Sequence, residues 1–200
     1  QIGEDGELTV VIGDATGHGL NAGMMVTATK SILTTLSHEK DLVHLFTKLN
    51  DALSRVNLHR HYMALQMVKI KDYRLEVCSA GMPPLLLYRA ATKTVEEISL
   101  KAMPLGNRHE FPYRKHDTRL ACGDVILLMS DGLPELFNMQ DEIFDHERVK
   151  AAFAAAAPLS PAQIIAHLVQ AGETWAGDKQ QQDDMTFLAL KVKHASMPEV

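Results

Sequence analysis

Three acidic positions in this 200-residue chain stand at the ends of apolar runs. Asp14 follows VVIG (residues 10–13), Asp131 follows VILLMS (125–130), and the pair Asp183–Asp184 precedes MTFLAL (185–190). The end of a strand fixes a carboxylate's backbone while leaving its oxygens accessible. Three such ends converging would form a hard, oxygen-rich site of the kind that Mg²⁺ or Mn²⁺ prefers. Zinc is not expected, because cysteine and histidine at ligand spacing are absent. Among the ten histidines, His38, His44, His59, His61 and His146 lie in polar stretches and read as solvated. His18 differs, because it sits inside the glycine-rich turn that follows Asp14. The plainer reading of that segment makes Asp14 and Thr16 helix caps, with the glycines supplying positive φ. Cys78 and Cys122 lack the positive surroundings of a catalytic thiolate.

The elements that must position these residues alternate in period. A turn at Glu4, Asp5 and Gly6 precedes a strand over 8–12. Leu20, Met24, Ala28, Ile32 and Leu36 then recur at i+4 spacing, which predicts a helix with one apolar stripe. Gly23, Thr27 and Ser31 flank that stripe and predict close packing on a sheet. Asp41 is the expected N-cap of a second helix, with Leu42, Leu45, Phe46, Leu49, Leu53 and Val56 facing inward. Strands over 62–70 and 74–80, joined by a tight turn at Lys71 and Asp72, form a hairpin. Segments 85–89 and 94–98 form another after Pro83 and Pro84, and 102–116 reads as irregular. VILLMS is apolar on both faces and reads as a buried central strand. A loop over 133–140 leads to a helix over 146–157. Ser160 and Pro161 open the next helix, with Ile164, Leu168, Ala171 and Trp175 on one face. A polar loop over 177–182 and a strand over 185–192 follow. Strands outnumber helices and the helices come in pairs, so the expected architecture is a layered α+β sandwich and not a βαβ repeat.

Composition narrows the function classes. A hydrophobic content of 46% over this length fits one domain with a sizeable core. Lys and Arg total 20 against 25 Asp and Glu, a net charge of −5 without any basic block, so nucleic acid is not an expected partner. Nothing in the chain is apolar for long enough to span a bilayer, and no signal-peptide pattern opens it. Two cysteines without CxxC spacing read as reduced thiols of a cytoplasmic domain. Because the chain opens on Gln1, it is read as the C-terminal part of a longer sensor or regulator, with residues 1–200 as one domain.

Five segments then occur in a telling order: GDATGHG (13–19), SAGMPP (79–84), MPLG (103–106), GDVILLMSDGLPE (123–135) and DDMT (183–186). Together they resemble the SpoIIE-type branch of the bacterial metal-dependent serine/threonine phosphatases, within the protein phosphatase 2C-like (PPM) superfamily. The resemblance covers nearly the whole chain. It implies an αββα sandwich of two antiparallel sheets flanked by helix pairs. It implies two Mn²⁺ or Mg²⁺ ions bridged by Asp14, with the Ala15 carbonyl on the second ion and Asp131 and Asp183 on the first. Asp184, His18 and Gly132 would stand beside these ligands, Gly132 letting the backbone turn next to the metal. The implied chemistry is direct hydrolysis of phosphoserine or phosphothreonine by a metal-bridging water. The implied substrate is a small regulatory phosphoprotein such as an anti-sigma-factor antagonist. Further implied partners are an upstream sensor or receiver domain, which could anchor the protein at a membrane, and a second copy of the chain.

Two departures stand out. Relatives carry another metal-binding aspartate in a Gly-Gly-Asp-type strand, and residues 1–12 hold no such motif; either that strand lies upstream, as the start on Gln1 favours, or the protein has lost it. Met82 stands where many relatives have histidine. A haloacid-dehalogenase-type reading fails, because its nucleophile would fall on Met129. The second reading is a catalytically inactive pseudophosphatase that binds a partner; three separately placed strand-end carboxylates count against it.

Overall fold

The computed structural model describes residues 2–3, 6–56, 58 and 61–193. Glu4, Asp5 and His59 lie outside the described residues, and with them most of the expected first turn. In chain order the elements are β1 (Leu8–Ala15), α1 (Leu20–Thr35), α2 (Leu42–Val56), β2 (Met63–Lys71), β3 (Arg74–Ala80), β4 (Leu85–Arg89), β5 (Thr94–Ile98), β6 (Lys115–Arg119), β7 (Val125–Met129), α3 (Asp145–Ala156), α4 (Pro161–Ala176) and β8 (Phe187–Lys191). They group into two compact units: Gln1–Met82 with Ser99–Arg119, and Pro83–Ile98 with Leu120–Val200. Each unit holds one antiparallel four-stranded sheet and one helix pair, the layers of the expected α+β sandwich. No helix among the described residues is long and apolar enough to cross a membrane.

In the first unit the strand order is β1-β2-β3-β6. The β2–β3 hairpin turns at Asp72 and Tyr73, one residue later than predicted, both with positive φ (47° and 60°). Paired left-handed residues match the twist of the flanking strands. One sheet face carries Met63, Leu65, Met67, Cys78 and Ala80 against Leu42, Leu45, Phe46, Leu49 and Leu53 of α2. Helix α2 follows its sequence pattern, with Asp41 Oδ1 accepting the His44 N–H at 2.8 Å as an N-cap does. Val56, its last residue, is 45% exposed instead of inward.

Helix α1 follows the expected stripe only in part: Ala28, Ile32 and Leu36 pack half-buried against the core, whereas Leu20 and Met24 are exposed. Its buried residues are Ala22, Met25 and Thr29, while Leu20 is 80% exposed. Gly23, Thr27 and Ser31 are exposed, and a Cβ added at Gly23 would meet nothing within 4 Å. The helix is apolar on several faces, so i+4 spacing admits more than one stripe and packing on the sheet selects among them. Strand β6 is not among the expected strands; its first two residues, Lys115 and His116, end the stretch over 102–116 that reads as irregular. KHDTR offers no apolar residue; it pairs with residues 74–78 of β3, with ion pairs Arg74–Asp117 (2.7 Å) and Lys115–Glu76 (3.2 Å) across the two strands. Charged residues are usual on such an edge.

In the second unit the order is β5-β4-β7-β8, and every residue of β7 is buried, as its unbroken apolar run predicts. Helices α3 and α4 cover one face, where Val149, Phe153, Ile164 and Leu168 meet Leu86, Val125, Leu127 and Met129. Ser160 and Gln163 form a capping box at α4, which starts at Pro161. The two units share a device. Lys69 Nζ on β2 reaches the carbonyls of Glu39 (3.3 Å) and Lys40 (3.0 Å) between α1 and α2. Lys191 Nζ on β8 reaches those of Ala157, Pro158 and Leu159 (3.1, 2.8 and 2.8 Å) between α3 and α4. Each ammonium gives donors to backbone carbonyls in the connection between two helices, where no ladder supplies them.

Candidate metal centre

Strand β1 runs past Ile12 to Ala15, so Asp14 lies within the strand, opposite Ala64, and not in the turn after it. At Gly13 a Cβ would come within 2.5 Å of Met63 Cε and 2.8 Å of Leu65 Cδ1, so these two side-chain ends occupy the space that the glycine leaves. Asp14 is half-buried, on the same sheet face as the buried Ile12. Ala15 lies opposite Met63, whose N–H and C=O both bond to Leu105 (3.0 and 2.8 Å). Met63 therefore spends its backbone groups on its other side, and the Ala15 carbonyl is left off the ladder.

Thr16 does not cap α1. Its Oγ1 donates to the Tyr62 carbonyl and accepts the Tyr62 N–H, both at 3.0 Å, pinning the strand end to β2's approach. The N-cap of α1 is Gly19, without a side-chain cap, and Gly17 and Gly19 take positive φ as predicted. His18 lies between them, exposed. His38, His44 and His146 are exposed as expected, but His61 is half-buried; a Cβ on Gly17 would lie 3.8 Å from its Nε2.

In the second unit, β7 delivers Asp131 through Ser130. Ser130 N–H donates to the Thr186 carbonyl (3.0 Å), Ser130 Oγ donates to the Asp184 carbonyl (3.0 Å), and Thr186 N–H donates to Ser130 Oγ (2.9 Å). Gly132 is buried, and a Cβ there would collide with the Asp184 carbonyl. Close approach of the 183–184 segment requires the glycine here. Asp183 Oδ1 accepts the Asp184 N–H at 2.8 Å, and Asp184 itself is exposed.

The structure brings Asp131 and Asp183 together, with carboxylate oxygens within 4.8 Å of each other. Asp131 Oδ1 is shielded from solvent and has no hydrogen-bond partner among the described residues. A shielded acceptor without a donor, beside a second carboxylate, is costly unless a cation completes it. The donors are hard oxygens, which fit Mg²⁺ or Mn²⁺. Cys78 offers no nucleophile in their place: burial pushes its thiol up to about 12, and its Sγ donates a hydrogen bond to the Arg114 carbonyl. Thr16 and Ser130 were missed as positioning groups. Their only sequence signal is a hydroxyl within two residues of a strand-end aspartate.

The family model of stage II sporulation protein E (SpoIIE) matches residues 4–193. Among solved structures, the SiaA PP2C domain of Pseudomonas aeruginosa is similar with a TM-score of 0.79 at 18% identity, covering 94% of this chain and 80% of that one. The RsbU and RsbW domains of a Mycobacterium tuberculosis protein give 0.77 at 24% identity, over 96% of this chain and 54% of that one. The PP2C phosphatase domain and regulatory fragment of Bacillus subtilis SpoIIE give 0.74 at 19%, over 96% and 57%. The chain thus spans just over half of the latter two. No curated protein sequence matches it.

Proposed function

The chain belongs to the SpoIIE family of PP2C-like domains, and on that premise we propose that it hydrolyses phosphoserine or phosphothreonine on a regulatory protein, using Mn²⁺ or Mg²⁺. The observation that carries this reading is the shielded, partnerless Oδ1 of Asp131 beside Asp183. Asp131 and Asp183 would hold the first ion; Asp14 would bridge to a second, which the Ala15 carbonyl would also meet. By the family resemblance, Asp184, His18 and Gly132 would stand beside these ligands. When bound, the ions supply positive charge that makes water nucleophilic near neutral pH and offsets the charge of the phosphoryl group.

The chain's own residues divide the remaining work. Asp183 is exposed, so its side of the pair is open to a phosphorylated side chain on another protein. Asp131 is held deeper, where shielding from water strengthens its attraction for a cation. The buried, protonated Cys78 supports direct hydrolysis over a covalent route. By family resemblance, the substrate belongs with anti-sigma-factor antagonists, and an upstream sensor or receiver domain or a second copy of the chain is the regulatory partner.

Phosphate release from a phosphoserine peptide should require Mn²⁺ and fall to background in EDTA or in Asp131→Asn. Undiminished release in EDTA overturns the proposal. Tight Mn²⁺ binding without turnover in a chain that carries the upstream aspartate strand would instead assign the protein to the pseudophosphatases.

A further inference from the structure

We infer that Ser130 is a positioning residue of this centre, its hydroxyl setting the separation of Asp131 from Asp183. The inference rests on the reading that those two carboxylates share a metal ion. The β7–β8 ladder ends with Met129 opposite Phe187. Beyond that pair the two strands must diverge far enough to seat an ion between their aspartates, but by a fixed amount. Ser130 N–H still bonds to the Thr186 carbonyl, as a ladder residue would. The return bond from Thr186 N–H goes to Ser130 Oγ, and the same hydroxyl donates onward to the Asp184 carbonyl at 3.0 Å.

One buried side chain, 4% exposed, thus bridges the Asp184 carbonyl and the Thr186 N–H, one residue before Asp131. Gly132 opens the space that the Asp184 carbonyl needs for this bond, since any Cβ there would occupy it. Both of the hydroxyl's roles, as donor and as acceptor, are filled. Alanine would cancel both bonds at once and free the Asp183 turn from β7. A hydroxyl with a merely structural role would change metal-free stability and leave cation affinity alone. A positioning hydroxyl changes affinity, because ligand groups lose their spacing when the bonds orienting them are removed.

The test is Mn²⁺ titration calorimetry on the wild-type chain, Ser130→Ala and Asp131→Asn, with urea unfolding of each in EDTA. Ser130→Ala should bind Mn²⁺ about 10- to 100-fold more weakly than wild type, and Asp131→Asn should lose the site. Ser130→Ala binding like wild type, while Asp131→Asn is impaired, overturns the role of Ser130 and leaves the metal reading standing. Equal binding by wild type and Asp131→Asn, or none by wild type, overturns the metal reading and this inference with it. Should Ser130→Ala not fold, amide exchange in the metal-free wild type decides. The Thr186 N–H should be protected by its bond to Ser130 Oγ; exchange at the rate of a free amide overturns the inference.

Discussion

Asp124 enters β7 with three donors on its carboxylate. Ala90 N–H and Ala121 N–H each lie at 3.0 Å and Arg89 Nη1 at 3.2 Å, and the residue is 1% exposed. Asp131, at the other end of the same strand, is likewise shielded at Oδ1 but has no donor there. The first aspartate is completed by the protein, while the second, on the proposed reading, is left for a cation. Asp124→Ala would strand two amides and take an acceptor from Arg89, costing about 3–5 kcal/mol. Asp124→Asn keeps the shape and should cost less. Urea midpoints of the two variants check this; a difference from wild type under about 0.5 kcal/mol for Asp124→Ala would remove the structural role.

Between elements, the lysines on β2 and β8 join the helix connections to the sheets. Lys191 has three carbonyls within 3.1 Å of its Nζ. Lys69 has two, with Glu7 Oε1 at 3.2 Å as counter-charge. An ammonium suits this place because its three donors can each take a different carbonyl. Lys191→Met keeps most of the aliphatic stem and loses the donors, so it isolates their contribution, expected at about 2 kcal/mol from bonds to a charged group. Unfolding in urea reads this directly. A loss under about 0.5 kcal/mol would mean that water replaces the ammonium at the α3–α4 connection. Helices α1 and α2 show how differently two elements can be specified. Helix α2 alternates charged and apolar faces and is oriented by its own sequence, whereas α1 is oriented by the sheet it meets.

At the scale of the molecule, the proposed metal centre couples ion binding to stability. An ion bound only by the folded chain at 100 times its Kd adds about 2.7 kcal/mol. Saturating Mn²⁺ should therefore raise the urea midpoint of the wild type, and EDTA should reverse the gain. Asp131→Asn removes a charge from beside Asp183 and should stabilise the metal-free chain by on the order of 1 kcal/mol. The same variant should lose the Mn²⁺-dependent gain. A gain of equal size in the variant would place the stabilising ion elsewhere in the chain.

By itself, the sequence determined what depends on neighbours along the chain. Strands β3, β4 and β5 begin and end where the alternation and turn residues place them. The caps at Asp41 and Ser160 form as their side chains require. The five ordered motifs named the family. The tertiary structure decided what depends on partners distant in sequence. It selected the buried face of α1, and it recruited KHDTR as an edge strand because β3 offered unpaired backbone. It placed the Ser130 hydroxyl against a segment 54 residues away, and it left one aspartate of β7 satisfied and the other open. Periodicity and capping act within a few residues, whereas burial, strand pairing and the completion of a carboxylate are settled only when remote segments meet.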